Sequence, residues 1–225
     1  MRYLCAICFA LFAIAPLSAA PVTYVESTDG ELSFDHMDPT DLGLFDIGNN
    51  TVEGSISDVG LDNEIDVYTD QADIFSFTVN SGTEVSEIFL RSFSGSSDNF
   101  FVGIDDASTF FFSPVDINNF PTNATLDANI VAYGIAGITD LSPDADLDGG
   151  SNLFGNFAGP SGGISNSLGA GTYTVYLQET TDTSDYTLNF RVSAVAVPEP
   201  SSFAAFAFVS LAVARRRARR KRTLA

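Results

Sequence analysis

No tryptophan occurs in the sequence, and histidine occurs once, as His36. A single histidine excludes a zinc site built on clustered imidazoles. It also confines any Ser–His–Asp arrangement to the Asp-rich stretch Asp35, Asp38 and Asp41 around His36, where no nucleophile-elbow pattern accompanies it. A turn histidine is the plainer expectation. The two cysteines, Cys5 and Cys8, both fall in the first twenty residues. Beyond them the chain has no thiol for a disulfide, a thiolate metal site or a cysteine nucleophile. Positive charge is scarce too. Of ten basic residues, Arg2 stands at the start and seven crowd into Arg215–Arg222, which leaves only Arg91 and Arg191 in the long middle of the chain.

Acids are the counterpart of that scarcity. All but Glu199 of the 29 lie in the body between the apolar ends, so the body carries 26 excess negative charges. Such a surface repels nucleic acid and anionic lipid, and DNA or RNA is excluded as a partner. It suits solubility in a saline habitat or the binding of divalent cations. A glycosidase needs two carboxylates, and Asp105-Asp106 is either such a pair or a strand-end turn. With so many acids that criterion does not discriminate, and the expectation is a protein without catalytic function.

The two ends carry addresses. Arg2, the apolar run Leu4–Ala15, Pro16 and the small residues Ser18, Ala19 and Ala20 have the order of a secretory signal peptide, too short to be a stable span. Cleavage is expected after Ala19, because a cut after Ala20 would leave Pro21 at the new terminus. At the other end stand Val197, Pro198, Glu199 and Pro200, an apolar run Phe203–Ala214, and the basic block. The two prolines hold an extended, unpaired segment that a processing enzyme can grip. The apolar run leaves water, and the arginines stay on the cytoplasmic side beside anionic lipid. This tripartite tail resembles the PEP-CTERM sorting signal of bacterial exported proteins. The resemblance implies an exosortase-type membrane processing enzyme as partner, with membrane contact only through the C-terminal segment before processing. A simple tail anchor is the alternative. The expected division is a signal peptide at 1–19, a leader or first strands at 20–53, a β domain at 54–193 and the sorting signal, with a short transmembrane run, at 197–222.

The body reads as β. Asp73–Val79 alternates with Phe75, Phe77 and Val79 on one face, Asn80-Ser81-Gly82 supplies a turn, and Val85–Phe93 resumes. Phe100–Ile104, Phe110–Phe112 and Asn129–Ile138 are further strand-like runs. Gly171–Leu177 and Tyr186–Val192 alternate cleanly and are expected to form a hairpin through Thr181–Asp185. No stretch shows a helical period. The expected fold is all-β, an antiparallel β-sandwich of jelly-roll-like or Ig-like kind, filled by phenylalanines. Asp73-x-Phe75-x-Phe77-x-Val79-x-x-Gly82, Gly171-Thr172-Tyr173-x-Val175 and Tyr186-x-Leu188 resemble the bacterial pre-peptidase C-terminal domain, which implies a non-catalytic accessory or adhesion fold.

One loop carries metal-ligand spacing. Asp144, Asp146 and Asp148 alternate before Gly149, with Asn152 at the ninth position, as in the first half of an EF-hand-type loop. Gly155 stands where the bidentate glutamate belongs, so the expected Ca2+ site is weak and borrows a ligand, with Asp140 or a carbonyl as the candidates; a solvated Asp/Gly turn is the alternative. Three functions stay open. The first is a structural or adhesive component of the cell surface or extracellular matrix, with exopolysaccharide as its setting. The others are a calcium-assisted carbohydrate-binding module and a secreted hydrolase.

Overall fold

The computed structural model describes residues 20–56, 72–95, 100–113, 121–136, 153, 167–179 and 183–195. The chain divides after Ser193, and the fold below belongs to the first unit. Among the described residues nine strands form two sheets, β1-β3-β9-β5 and β2-β4-β8-β6-β7. In chain order they are β1 (Thr23–Val25), β2 (Thr40–Phe45), β3 (Gly48–Ile56), β4 (Ala72–Val79), β5 (Thr83–Phe93), β6 (Phe100–Asp105), β7 (Ala132–Ala136), β8 (Gly171–Gln178) and β9 (Ser184–Ala194). The all-β sandwich expected from the sequence is the fold observed. The stretch 20–53 contains β1, β2 and most of β3.

Alternation explains the layers. Along β4, β6 and β8 the residues Phe75, Phe77, Val79, Phe100, Val102, Ile104, Val175 and Leu177 point into the core between the sheets, where Val52, Leu188 and Phe190 meet them. Phe45 stacks on Phe77 at 4.2 Å between ring centres, and Phe190 packs against Phe45, Phe75 and Phe77. The opposite parity of the same strands is buried as well. Ile74, Phe101 and Tyr176 face a second cluster on the outer side of the five-stranded sheet, completed by Phe110, Leu126, Ile130 and Tyr133. Gly103 lies on that face, and a Cβ there would run into the Phe101 and Phe110 rings.

The structure departs from the sequence expectation at four points. Gly171–Leu177 and Tyr186–Val192 are not a hairpin: β8 lies in the five-stranded sheet between β4 and β6, and β9 in the other sheet between β3 and β5. Both strands send one apolar face into the same core, so alternation looks identical whether they pair or face each other. Phe110–Phe112 is a bend, not a strand, with Phe110 stacked on Tyr176 at 4.9 Å. Among the described residues helix occurs in two short pieces, α1 (Glu26–Asp29) and α2 (Asn123–Asn129). Thr122 caps α2 by accepting the Thr125 N–H, which the Pro121-Thr122 sequence prepares. The sandwich is also not wholly antiparallel, because β1 pairs parallel with β3 and β2 parallel with β4.

Candidate functional site

Among the described residues, ligand-type side chains gather where α1 meets the start of β4. Glu26, Glu31 and Asp73 each offer a carboxylate oxygen, and the three oxygens lie within 4.8 Å of one another. The backbone sets this up locally. The Asp29 carboxylate accepts the Val25 N–H at 2.7 Å and closes one helical turn, and Gly30 at φ 111° reverses the chain so that Glu31 returns beside Glu26. Both oxygens of Glu26 are already engaged, by the Leu32 N–H at 2.8 Å and the Ser55 N–H at 2.7 Å. Asp73 is fully buried and accepts the Tyr186 hydroxyl at 2.7 Å. That phenol crosses β3 at its register partner Gly54, where a Cβ would strike it.

Burial, and then the Asp73 charge, hold the Tyr186 phenol well above its ordinary range. Tyr24 is raised by burial first and then by Glu26 and the neighbouring acids. Three converging carboxylates are hard oxygen ligands of the kind that suit Ca2+ or Mg2+. Beside them opens a groove of about 230 Å³, lined by Glu53, Ser55, Ser92, Asp185 and Thr187 among others. Nothing in the spacing of Glu26 and Glu31 signals a meeting with Asp73, which in the sequence only opens a strand-like run.

The predicted residues are distributed differently. His36 sits in a turn, where its Nδ1 donates to the Phe110 carbonyl at 2.7 Å and its own carbonyl accepts the Phe110 N–H at 2.8 Å. It therefore anchors the aromatic bend to the N-terminal segment. Asp105 ends β6 and Asp106 opens the following bend, with the Thr174 hydroxyl donating to the Ala107 carbonyl at 2.7 Å. Burial and then the Asp106 charge push the Asp105 carboxyl up to about 6. Ala20 is exposed at the start of the described chain. Asp140, Asp144, Asp146, Asp148 and Asn152, together with Ala19 and the tail Val197, Pro198, Glu199 and Pro200, lie outside the described residues.

A family model for the PEP-CTERM protein-sorting motif matches residues 196–220, which takes in the Pro-Glu-Pro segment, the apolar run and most of the basic block. The chain carries a PEP-CTERM sorting signal. This PEP-CTERM protein is accordingly an exported one, held transiently at the membrane until exosortase, a membrane enzyme, processes it. No curated protein and no solved structure matches the chain. Among the described residues no helix is long and apolar enough to cross a membrane; the run Phe203–Ala214 lies outside them.

Proposed function

We propose that this PEP-CTERM protein is a non-catalytic structural or adhesive component of the cell surface or extracellular matrix, released into an exopolysaccharide setting after sorting. The observation that carries the reading is the sorting motif at 196–220 joined to a β-sandwich whose sheets are tied by a dense aromatic core. The acidic body keeps such a protein dispersed in salt and away from anionic lipid. Replacing Pro198, Glu199 and Pro200 by alanine in the producing cell is expected to leave uncut precursor in the inner membrane and to deplete the surface and matrix fractions. Mass spectrometry finding surface protein with an intact Arg215–Arg222 tail would instead make the tail a plain anchor. Turnover of a polymer substrate by the purified protein would replace the structural role with the hydrolase reading.

A calcium-assisted carbohydrate-binding module is the second reading, favoured by the hydroxyl- and carboxylate-lined groove. Its calcium would come from the Asp144, Asp146, Asp148 and Asn152 loop, at the roughly 10⁻⁴–10⁻³ M affinity of extracellular calcium modules. Calorimetry at millimolar calcium, with Asp146→Ala and Asp148→Ala alongside, tests the loop. Equal heat from the variants removes it.

A further inference from the structure

An edge strand presents a row of backbone N–H and C=O groups to any strand that can approach, and proteins blunt such edges with charge, shortness, proline or irregular register. Among the described residues the sandwich has four edge strands. Three are blunted. β1 is three residues long and follows Pro21 closely. β2 carries Asp41 and a register shift between Asp41 and Leu44. β5 carries Glu84, Glu87 and Arg91. Apart from its modest length of five residues, β7 has none of these devices. Its sequence Ala-Tyr-Gly-Ile-Ala contains no charge and no proline, and the uncharged run extends over residues 128–139. Among the described residues its strand partner is β6 alone, and Ile135 is 52 % exposed.

We propose that β7 pairs antiparallel with β7 of a second copy of this chain, about a two-fold axis through Gly134, so that two five-stranded sheets become one. A strand related to itself by a two-fold is antiparallel, and each copy accepts the hydrogen bonds it donates. Charge restricts where two copies can meet. Two bodies with 26 excess negative charges each repel over most of their surfaces, and the approach is least opposed along the uncharged run that holds β7.

The register follows from the side chains. Gly134 opposite Gly134 sets Tyr133 against Ile135 and Ala132 against Ala136. Tyr133 belongs to the outer cluster and Ala132 and Ala136 to the inner core, so by alternation Ile135 shares the Tyr133 face. An aromatic then lies opposite a β-branched side chain on the outer face, a favourable cross-strand pair, and small residues meet on the inner face. The nearest upstream acid, Asp127, lies outside the paired segment and accepts the Tyr133 hydroxyl at 2.9 Å. This deepens the structural reading above by giving the protein a means of joining copies; it rests on that reading for its purpose and not for its geometry.

Sedimentation equilibrium of the full chain in mild detergent tests the pairing. A dimer is expected whose dissociation constant falls about tenfold as the screening length shortens from roughly 30 to 8 Å. Ile135→Lys should raise that constant at least tenfold with an unchanged circular dichroism spectrum, and Leu44→Lys on the β2 edge should leave it alone. In a Cys5→Ser, Cys8→Ser background, Ile135→Cys should link across copies with a short bismaleimide and Leu44→Cys should not. A monomer at every salt concentration, or a dimer that survives Ile135→Lys and fails to link at position 135, overturns the pairing. The export and sorting reading is decided separately, by the surface mass spectrum.

Discussion

Asp105 shows how one buried carboxyl makes stability depend on pH. Its exposure is 6 %, and burial with the adjacent Asp106 charge raises it from 3.8 to about 6. The folded state therefore holds this proton more tightly than the unfolded chain does. The contribution is fully present below about pH 4 and is lost as pH rises through 6, by on the order of 2–3 kcal/mol. Asp105→Asn should thus stabilise the protein at pH 7 by about 1–2 kcal/mol, and the difference between variant and wild type should vanish toward pH 4; urea titrations at pH 4, 5, 6 and 7 check both. A difference independent of pH would show that the carboxyl is already solvated. Gly54 makes the opposite case, where the missing side chain matters. A methyl group there collides with the Tyr186 hydroxyl and crowds Asp73. Gly54→Ala should cost about 2–4 kcal/mol, since it separates a buried phenol from the carboxylate it serves. A urea midpoint equal to wild type would mean that the phenol has another route across β3.

Phe190 ties elements that the chain order keeps apart. It sits on β9 in the four-stranded sheet and packs on Phe45 of β2 and on Phe75 and Phe77 of β4 in the other. Phe190→Ala should destabilise by about 3–5 kcal/mol, whereas Phe34→Ala, at a side chain 50 % exposed, should change stability by less than about 0.5 kcal/mol. Thermal unfolding of the two variants compares them directly; equal losses would place the core elsewhere. The turns carry the same lesson. Asn80-Ser81-Gly82, with Gly82 at φ 82° and the Thr83 N–H bonded to the Asn80 carbonyl at 3.2 Å, passes the chain from one sheet to the other rather than closing a ladder. Residues 180–182 lie between two strands that likewise belong to different sheets.

At the scale of the molecule the dominant quantity is charge. The ion pair between Arg191 and Glu87 at 2.8 Å is partly exposed on both sides, and a pair of that kind contributes little. The 26 excess negative charges of the body set the behaviour instead. Self-repulsion acts at low ionic strength and is relieved once the screening length falls to about 8–10 Å. The thermal midpoint should therefore rise from dilute buffer to moderate sodium chloride. A flat profile in differential scanning calorimetry would show that the carboxylates are too dispersed to oppose compaction.

Much of this protein is written locally. The sorting tail depends on order along the chain, so Pro198, Glu199, Pro200, the apolar run and the arginines are legible without a fold. The strands are legible because alternation is a property of consecutive residues, as in Phe75, Phe77 and Val79. Pairing is not local. Tyr186 lies 113 positions from Asp73, Glu26 reaches Asp73 through the chain that β1 docks beside β3, and β8 and β9 face each other across a core that either arrangement would satisfy. Order along the chain decided where it is sent, and alternation decided which side chains face the core between the sheets. The partners of each strand, the carboxylate cluster and the edge position of β7 among the described residues were decided by tertiary packing, because hydrogen-bond ladders and charge proximity join residues that no sequence interval relates.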